Sequence, residues 1–541
     1  MFEPIKQRQT LYEMQEEILR FWKENDIFRK SIEQRSEDNR YSFYDGPPFI
    51  TGIPHYATLL PSIAKDIVPR FQTMKGKRVR RVWGWDCHGL PAETKVEEKL
   101  GIKSKREIEE MGIGKFIGVC RDYVSEVSSE WRWYVDHIGR WVDMDNAYRT
   151  MDLDYMETVI WIFKQLYEKG LIYEGMRSSL YCPRCATPLS KFEVTMDDGF
   201  YRDVEDTAVT VKFKVLKEDR YLLAWTTTPW TLPGNRALAV DKEAQYVEIK
   251  TGEGERVVVA EAAYERDDSF SGEIVKRLKG EELVGLKYEP LYEYGPRNDN
   301  DFKVYAAQFV TMEEGTGIVH VAPAFGEDDL RLGQEMGLSV FVSVDGEGRV
   351  TEEVPEYQGK YYKKTNELIL AELNSRSLIF SESKITHSYP FCYRCETALI
   401  YKAQKAWYMR IDGLREQLIK SNKDINWVPD HFGEGRFDYN LRTAPDWCLS
   451  RSRYWGTPIP VWKCEGCGQI EVLGSIKEIE EKSGQRVADL HRPDIDDVGW
   501  GCSCGEKMVR VPEILDVWFE SGAMPYAEWH YPFENEKEFK E

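Results

Sequence analysis

Eight of the 11 cysteines occur in two sets of four, and each set supplies the number of thiolates that a closed tetrahedral zinc site needs. The sets are Cys182, Cys185, Cys392 and Cys395, and Cys464, Cys467, Cys502 and Cys504. Redox motifs or disulfides are the alternative, but the polar start of the sequence does not resemble a signal peptide for an oxidising compartment. We therefore predict two structural zinc sites, of which the first clamps the neck of an inserted domain.

Two further segments carry side chains that could do chemistry. Residues 225–235 concentrate threonine hydroxyls beside two tryptophans on a loop that prolines constrain. Residues 315–329 add His320 and a run of acids that ends at Asp329. Taken alone, a threonine-rich stretch is most often an ordinary strand. The two segments therefore predict a binding or hydrolytic site only in combination.

The length and composition of the chain indicate a folded frame for these residues. The 541 residues predict several domains, and a composition of 42% hydrophobic and 31% charged residues excludes a disordered chain. No run of about 18 apolar residues occurs, so no membrane span is predicted. The net charge of −20 disfavours a protein coated with nucleic acid. The basic cluster between Lys75 and Arg81 is either a local phosphate contact or a solvated helix end.

The first part of the sequence has the order of a nucleotide-binding unit. Residues 9–34 carry apolar side chains at helical spacing and predict a helix. Residues 41–44 predict a short strand that ends at a Gly/Pro turn. A helix is predicted after Pro54 and through Phe71. A second strand is predicted over Val79–Val82. Strand, Gly/Pro turn and helix together are typical of an α/β unit whose helix N-terminus faces phosphate.

The pattern changes near residue 200, where short alternating runs replace the helical spacing. Strands are predicted at residues 208–213, 221–225, 246–249 and 256–260, and they indicate a compact β-rich domain that ends near residue 385. Helical and mixed patterns then return. We therefore predict one α/β domain interrupted by a β-rich insertion.

Four long motifs occur in a fixed order and identify a family. They are Tyr44-Asp-Gly-Pro-Pro-Phe-Ile-Thr-Gly-Ile-Pro-His55, Gly84-Trp-Asp-Cys-His-Gly-Leu-Pro91, Asp446-Trp-Cys-Leu-Ser-Arg-Ser-Arg-Tyr-Trp-Gly-Thr-Pro-Ile-Pro460 and Asp516-Val-Trp-Phe-Glu-Ser-Gly522. With these motifs the sequence resembles the class I aminoacyl-tRNA synthetases, and most closely the isoleucyl-tRNA synthetases. Valyl relatives usually have a Thr-Asp-His segment in place of the second motif, and leucyl relatives differ there and in the last one. The resemblance covers essentially the whole sequence.

The resemblance implies an α/β fold with a Rossmann-type nucleotide-binding catalytic core that a β-rich editing domain interrupts. The core would comprise residues 1–181 and 446–541, the second part with a zinc insertion at 461–508. Residues 182–199 would be a zinc-clamped connector, residues 200–385 the editing domain, and residues 386–445 a return connector with the second half of the first zinc site.

The resemblance also implies the chemistry of the core. The isoleucine carboxylate would join the α-phosphate of ATP, which enters with Mg²⁺, and the acyl group would then move to tRNA(Ile). His55 and Thr58 would be the catalytic residues. The ATP-binding residues would be Gly46, His55 and Thr58, and the amino-acid-binding residues Pro47, Asp86 and Trp518. Asp86 would hold the substrate ammonium, because a fixed cation requires a carboxylate counter-charge.

The sequence departs from the family pattern in two ways. The family usually has His-x-Gly-His after the first strand, whereas this chain has His55-Tyr-Ala-Thr58, and a threonine cannot carry the charge of an imidazole. Pro61 is tolerable in the following helix only if it still lies in the first turn. The Lys-Met-Ser-Lys-Ser loop and the anticodon-binding region that the family places further on are absent. We interpret the chain as an N-terminal fragment or as one part of a split enzyme.

The resemblance assigns an editing function to the insertion. An aliphatic pocket rejects a smaller homologue only weakly, and the isoleucine–valine pair is the standard instance of this limit. The expected editing residues are Thr226, Thr227, Thr228, Trp230, His320, Asp328 and Asp329. Asp329 would be the essential acid, which binds the ammonium of a mischarged valine and orients water, and the bulk around Trp225 and Trp230 would exclude isoleucine.

Three functional hypotheses follow from these features. The first is an isoleucine–tRNA ligase with hydrolytic editing of Val-tRNA(Ile). The second is an editing deacylase that acts in trans beside an inactive core, and the third is a zinc-stabilised relative that binds tRNA or adenylate without catalysis. We expect tRNA(Ile), isoleucine, ATP and a C-terminal part of the same enzyme as partners, together with a cytoplasmic monomer that does not bind membranes.

Overall fold

The chain divides into two compact units in a computed structural model that describes residues 9–50, 52–189, 193–194 and 200–540. Unit 1 comprises Met1–Tyr173 and Tyr408–Glu541, and unit 2 is the continuous insertion Glu174–Trp407. Thr51 of the first motif lies outside the described residues, as do residues 190–192 and 195–199 of the predicted connector. The mixed α/β fold class predicted from the sequence is confirmed.

Helices occur in both units, and most of them belong to unit 1. In chain order they are α1 (Leu11–Glu24), α2 (Ile27–Glu33), α3 (Tyr56–Met74), α4 (Leu90–Leu100), α5 (Lys105–Met111), α6 (Ile113–His137), α7 (Leu153–Glu168), α8 (Glu261–Arg266), α9 (Glu327–Met336), α10 (Tyr362–Ser375), α11 (Arg415–Asn422), α12 (Asp438–Thr443), α13 (Ile476–Ser483), α14 (Val517–Gly522), α15 (Met524–Ala527) and α16 (Glu536–Lys540). No described helix is long and apolar enough to cross a bilayer.

Strands dominate unit 2, whereas those of unit 1 are short. In chain order they are β1 (Val82–Trp85), β2 (Asp143–Arg149), β3 (Ile172–Cys182), β4 (Thr187–Pro188), β5 (Tyr201–Lys214), β6 (Tyr221–Thr226), β7 (Ala237–Val240), β8 (Gln245–Lys250), β9 (Arg256–Ala260), β10 (Glu273–Lys279), β11 (Lys303–Ala306), β12 (Ile318–Val321), β13 (Ile379–Pro390), β14 (Ile400–Met409), β15 (Trp447–Cys448), β16 (Ser450–Arg451), β17 (Val461–Cys464), β18 (Ile470–Val472), β19 (Trp500–Gly501), β20 (Lys507–Arg510) and β21 (Ile514–Leu515).

Unit 1 contains a parallel pair, β1 and β2, with a third segment beside it. The strand predicted at residues 41–44 is wrong. The segment at residues 40–49 instead runs parallel to residues 78–86, which include β1. It forms only two isolated bridges, Arg40 with Arg78 and Phe49 with Asp86. It is one residue longer than its partner between the bridges, and Pro47 cannot donate to a ladder. The predicted strand at 79–82 begins only at Val82.

Two predictions about helices in unit 1 also need correction. The single helix predicted over residues 9–34 is two helices, because Asp26 adopts the left-handed conformation with φ 52° and ends the first one. Pro61 lies beyond the first turn of α3, which begins at Tyr56, so the helix tolerates a proline in its interior. Without an amide hydrogen, Pro61 leaves the carbonyl of Ala57 without its helical donor.

Unit 2 is built on a nine-stranded mixed sheet. Seven strands follow the order β10-β8-β9-β6-β12-β7-β11, and β5 joins β6 to β13. The strands predicted from residues 208, 221, 246 and 256 onward are confirmed as parts of β5, β6, β8 and β9. Buried aliphatic side chains such as Val211, Leu222 and Val258 form its core. The sheet holds the end of β6 beside β12, since Val319 pairs with Trp225 in parallel register.

Candidate functional site

The motif at residues 84–91 of unit 1 forms a tightly packed loop at the carboxyl end of β1. A Cβ at Gly84 would lie 1.9 Å from a ring carbon of Tyr148, so no larger residue fits there. Gly89 has φ +90°, and a Cβ there would lie 2.3 Å from Val517. Both glycines are therefore required by close packing, and the loop brings the second motif against the last one.

A buried carboxylate in α4, two residues after the second motif, binds the third motif. The Glu93 carboxylate accepts hydrogen bonds from the backbone amides of Tyr454 at 3.0 Å and Trp455 at 2.6 Å, and it pairs with Arg453. The amide of Gly89 donates to the carbonyl of Trp455 at 2.8 Å. All these side chains are buried, so the Arg-Tyr-Trp segment is fixed relative to the loop at the end of β1.

Asp86 in this loop is a buried carboxylate with one unsatisfied oxygen. Its side chain is 2% exposed, and its Oδ2 accepts a hydrogen bond from the Ser521 hydroxyl at 2.6 Å. Its Oδ1 has no hydrogen-bond partner among the described residues. Burial raises the pKa of Asp86 well above its usual range, and a carboxylate at Glu520 would add to this rise. A cation at Oδ1 would remove both penalties.

The other predicted amino-acid-binding residues lie around Asp86. The loop that contains Pro47 runs beside it, since the amide of Asp86 donates to the carbonyl of Pro48 at 3.0 Å. Trp518 lies in the first turn of α14, is 41% exposed, and makes an edge contact with Phe49 at 5.8 Å between ring centroids. An exposed tryptophan beside a buried carboxylate can supply an apolar wall to a ligand.

His55 caps the N-terminus of α3 and keeps a donor on its exposed side. Its Nδ1 accepts a hydrogen bond from the amide of Ala57 at 3.2 Å, so in the neutral ring the proton is on Nε2. The Thr58 hydroxyl donates to the carbonyl of His55 at 2.6 Å and lies 3.2 Å from the Tyr134 hydroxyl. Thr58 therefore serves the first turn of its own helix, whereas His55 presents a donor where phosphate binds well.

Gly46 lies in the same exposed loop. A Cβ at this position would meet no atom within 4 Å, so the packing of the protein itself does not require the glycine. Its carbonyl accepts a hydrogen bond from the Lys65 ammonium at 2.9 Å. Open space above a glycine is what the close approach of a ligand to the backbone requires.

In unit 2 the threonine loop and His320 form one hydrogen-bonded network. The Thr231 hydroxyl lies 3.1 Å from Nε2 of His320 and donates to the carbonyl of Thr228 at 2.8 Å. The hydroxyls of Thr226 and Thr228 are 3.2 Å apart. Thr227 is half-buried and takes no part in these contacts. The network joins three of the predicted editing residues and adds Thr231, which the sequence prediction omitted.

Asn235 sets the direction of this network, and the sequence prediction missed it. Its amide group donates to Nδ1 of His320 at 2.8 Å, and its oxygen accepts from the Tyr288 hydroxyl at 2.7 Å. His320 therefore carries its proton on Nε2 and donates it to Thr231. Burial lowers the pKa of His320 to about 4, so the ring is neutral at pH 7. A neutral ring with both nitrogens engaged orients the hydroxyls and does not act as a general base.

Trp230 lies in the core and not at the surface of the loop. Its ring is 6% exposed and contacts Phe325 and Tyr362, with centroids 4.7 and 4.8 Å away. Its amide donates to the side chain of Asn366 at 2.9 Å. Trp230 therefore anchors the threonine loop to the core. Trp225 is half-buried and is the tryptophan of this segment that remains partly accessible.

The two predicted acids of unit 2 differ in their surroundings. Asp328 is exposed and pairs with Arg331 at 2.6 Å on the surface of α9. Asp329 is half-buried, and its carboxylate lies against Gly326, in the turn that follows β12 and His320. Burial raises the pKa of Asp329 to about 7, the charge of Asp328 adds to the rise, and the amide of Ala322 opposes it. Asp329 therefore has the perturbed pKa that is typical of functional acids.

Both cysteine sets have the geometry of a metal site. All sulfur atoms within each set lie within 4.8 Å of one another. Representative Sγ–Sγ distances are 3.4 Å for Cys182–Cys395, 3.5 Å for Cys185–Cys395, 3.3 Å for Cys464–Cys504 and 3.7 Å for Cys467–Cys502. Four sulfurs around one Zn²⁺ would be about 3.8 Å apart, whereas a disulfide would bring two of them to about 2 Å. Both sets could therefore hold a metal ion.

Comparisons with known proteins identify the family to which the chain belongs. The family model of the class I tRNA synthetases (I, L, M and V) matches residues 17–541. An isoleucine–tRNA ligase 2 of Pseudomonas fluorescens is 48% identical over 532 residues, which cover 98% of this chain and 51% of the relative. An isoleucine–tRNA ligase of Corynebacterium diphtheriae is 46% identical over 554 residues, with 97% and 53% covered. The chain thus spans about half the length of these curated relatives.

Proposed function

The chain belongs to the class I tRNA synthetases, and from that premise we propose that unit 1 activates isoleucine with ATP and passes it to tRNA(Ile). The observation that carries the proposal is the buried Asp86 carboxylate, whose Oδ1 has no hydrogen-bond partner in the part of the chain that the structure describes. The ammonium of an amino acid offers this oxygen the charged donor that it lacks. The half-exposed Trp518 and Phe49 then flank an aliphatic side chain.

The activation step requires alignment more than covalent participation of the protein. A carboxylate oxygen of isoleucine forms a bond to the α-phosphorus of ATP, and the bond from that phosphorus to the bridging oxygen breaks to release pyrophosphate. His55 donates through Nε2 to a phosphate oxygen at the N-terminus of α3, and Gly46 leaves room for the nucleotide. Mg²⁺ enters with ATP. Thr58 supports the turn that positions His55.

We also propose that unit 2 hydrolyses valine from mischarged tRNA(Ile). The Asp329 carboxylate pairs with the free ammonium of the ester, and the hydroxyls of Thr226 and Thr228 hold the terminal ribose and the attacking water. Water adds to the ester carbonyl, the bond to the ribose oxygen breaks, and that oxygen takes up a proton. His320 keeps the hydroxyls in place through Thr231. The need for this step follows from the weak discrimination of an aliphatic pocket.

We further propose that each cysteine set holds one structural Zn²⁺. Thiolates at tetrahedral spacing are its preferred ligands, and reduced clusters of this kind agree with a cytoplasmic location. We expect the protein to act as a monomer.

The synthesis proposal is tested by calorimetric binding of L-isoleucine, followed by isoleucine-dependent exchange of pyrophosphate into ATP. Asp86→Asn should weaken isoleucine binding by roughly 10- to 150-fold, whereas Asp122→Asn, an exposed aspartate of α6, should not change it. An affinity for isoleucine that is unchanged in Asp86→Asn would overturn the assignment of the ammonium site.

The editing proposal is tested by deacylation of pre-charged Val-tRNA(Ile) and Ile-tRNA(Ile). The chain should clear the valyl ester faster. Asp329→Ala should remove this preference, and Asp328→Ala should retain it because Asp328 pairs with Arg331 at the surface. Equal rates for the two esters, or full selectivity in Asp329→Ala, would contradict the proposal.

Hydrolysis without synthesis is a second candidate function, and the position of Thr58 favours it. The family pattern has a histidine here, whereas the Thr58 hydroxyl is engaged with its own helix and Tyr134. Deacylation of Val-tRNA(Ile) together with isoleucine binding but no pyrophosphate exchange would support this alternative. Restoring a histidine with Thr58→His should then recover exchange.

A further inference from the structure

A buried chain of titratable side chains leads from the neighbourhood of Asp86 to the surface of unit 1. We propose that Glu520, His88, His491 and Asp489 form an internal proton relay, which ionises Glu520 when a substrate ammonium binds at Asp86. The inference rests on the proposed function for the identity of that ammonium. The relay itself is a property of the described side chains and does not depend on catalysis.

The four side chains form an unbroken series of short contacts. Oε2 of Glu520 lies 2.7 Å from Nδ1 of His88, and Nε2 of His88 lies 2.9 Å from Nε2 of His491. Nδ1 of His491 lies 2.6 Å from Oδ1 of Asp489. The other carboxylate oxygen of Glu520 accepts from the amide of Thr457 at 2.7 Å. Each contact is within hydrogen-bond distance, so protons can move along the whole series.

The contact between the two imidazoles limits the possible proton positions. Only one of the two Nε2 atoms can carry a proton, because two donors cannot share one hydrogen bond. If His491 donates through Nδ1 to Asp489 and stays neutral, His88 must donate through Nε2. Nδ1 of His88 is then an acceptor, and Glu520 must be protonated to donate to it.

A second arrangement holds the same number of protons. The Glu520 proton moves to Nδ1 of His88, and the proton on Nε2 of His88 moves to Nε2 of His491. Glu520 becomes a carboxylate, His88 remains neutral with its tautomer reversed, and His491 becomes an imidazolium. No proton is exchanged with solvent, so the two arrangements differ only in where the charge lies.

Burial favours the first arrangement when no ligand is bound. The side chains of Glu520 and His88 are fully buried, and that of His491 is 2% exposed. Burial raises the pKa of Glu520 to about 8 and lowers the pKa of His88 to about 3. It also lowers the pKa of His491, against the pull of Asp489. At pH 7 and without a ligand, the relay therefore has a neutral Glu520 and two neutral imidazoles.

The surrounding charges explain how a bound cation would reverse this preference. Glu520 and Asp516 both act electrostatically on Asp86, so carboxylates at Asp86 and Glu520 oppose each other until a cation arrives. At the other end the charge of Asp489 and the stacked ring of Trp455 favour an imidazolium at His491. Two further charged groups act on the relay. Arg121 lies 3.2 Å from Nδ1 of His491 and disfavours an imidazolium there. Glu93 of α4 favours a charged His88.

The consequence is a site whose charge adapts to the substrate. Ser521, which donates to Asp86, directly follows Glu520 in the sequence, so an ammonium at Asp86 also lies in the field of Glu520. Ionisation of Glu520 would give the bound ammonium a second negative charge. His491 and Asp489, which lie between the cysteines of the second set, would thus be positioning residues for the amino-acid site.

The relay is tested by nuclear magnetic resonance of the full chain labelled with ¹⁵N-histidine. An unprotonated ring nitrogen is readily distinguished from a protonated one. At pH 7 the free protein should have its His88 proton on Nε2 and its His491 proton on Nδ1. L-isoleucinol, which has the ammonium but no carboxylate, should reverse the tautomer of His88 and doubly protonate His491. 3-Methylpentanoate, which has no ammonium, should change neither ring.

The variant His491→Gln tests whether proton uptake matters. Its amide oxygen can still accept the His88 proton, but it cannot take up a second proton. L-isoleucinol affinity should fall roughly tenfold at pH 7, the size of one pKa unit. The affinity of the variant for L-isoleucinol should recover above pH 8. The pKa of Glu520 is raised to about 8, so Glu520 loses its proton to solvent there. Asp494→Asn, an exposed acid of the same segment, should retain wild-type binding at every pH.

Several outcomes separate this inference from the proposed function. A loss of affinity in His491→Gln that is independent of pH would indicate packing alone and overturn the relay, as would a His491 that is already doubly protonated in the free protein at pH 7. If no ligand binds, the isoleucine proposal fails for this chain, and raising the pH of the free protein still tests the relay. Ionisation of Glu520 near pH 8 should then reverse the His88 tautomer, and an unchanged tautomer would refute it.

Discussion

The candidate sites of the two units differ in whether their buried polar groups have hydrogen-bond partners within the protein. In unit 2, His320, Asn235 and Thr231 satisfy one another through hydrogen bonds of 2.8 to 3.1 Å. In unit 1, Oδ1 of Asp86 is buried without a partner among the described residues, and His55 presents its donor to solvent. The difference indicates that the fold itself completes the hydrogen bonds of the threonine–histidine network in unit 2, whereas a ligand would complete those of Asp86 in unit 1. Substitutions should therefore affect stability in unit 2 and binding in unit 1.

Metal removal should give the largest effect and should separate the units most clearly. The first cysteine set has three buried members, whereas the second has two exposed ones, Cys467 and Cys504. Zinc modules draw about 10–16 kcal/mol from metal binding, so stripping the first set should unfold much of unit 2. Metal analysis of the native chain should give close to two equivalents of zinc, and chelation should release the second set first.

The variants Cys392→Ser and Cys502→Ser sharpen this test. Proteolysis of Cys392→Ser should cut within unit 2, and Cys502→Ser should open only the segment around residues 461–508. An intact fold with less than half an equivalent of metal would show that the cysteine sets are not structural sites.

Asp86→Asn should give the next largest effect, and it should act on binding alone. The substitution removes the counter-charge of the ammonium, and a hydrogen bond to a charged group contributes about 1.5–3 kcal/mol, which corresponds to roughly 10- to 150-fold in affinity. The free energy of unfolding should not fall, because a buried carboxylate with an unsatisfied oxygen becomes a neutral amide. Calorimetry with isoleucine and urea denaturation measure the two quantities. A less stable variant with normal affinity would reverse the interpretation of the site.

Asn235→Ala should have the opposite profile. It leaves Nδ1 of His320 and the Tyr288 hydroxyl without their partner, and each unsatisfied buried group costs about 1–3 kcal/mol. The free energy of unfolding of unit 2 should therefore fall by a few kcal/mol, and isoleucine binding in unit 1 should not change. Asn374→Ala, at an exposed position of α10, is the matched control and should be neutral.

The pH dependence of deacylation should give the smallest effect. The pKa of Asp329 is raised to about 7, so the acid is mostly neutral below pH 7 and ionised above it. Because the carboxylate form pairs with the ammonium, kcat/KM for Val-tRNA(Ile) should rise about tenfold per pH unit up to pH 7 and then level off. A profile that is flat between pH 5.5 and 8 would exclude Asp329 as the titrating group.

Features that depend on local spacing could be predicted from the sequence. The two cysteine sets are encoded by doublets, and β5, β6, β8 and β9 by alternation of apolar residues. The strand expected at residues 41–44 failed for a local reason as well, since the bulge and Pro47 leave only two isolated bridges there.

Pairings across long stretches of sequence could not be predicted. Ser521 meets Asp86 across 435 residues, and His491 meets His88 across 403. Neither segment alone indicates its partner, because tertiary packing determines which hydroxyl lies beside Asp86 and which imidazole lies beside His88. The surroundings of Trp230 could not be predicted for the same reason, since an aromatic residue in a polar loop can contact either a ligand or the core, and here its ring contacts Phe325.

The most direct test of this contrast is hydrogen–deuterium exchange of the full chain with and without saturating L-isoleucine. A ligand that completes a site slows exchange there in proportion to its affinity. Amides of residues 84–91 and 516–522 in unit 1 should be protected, and those of residues 226–235 in unit 2 should be slow from the outset and unchanged. Protection of the unit 2 segment by isoleucine, or fast exchange there in the free protein, would contradict the account.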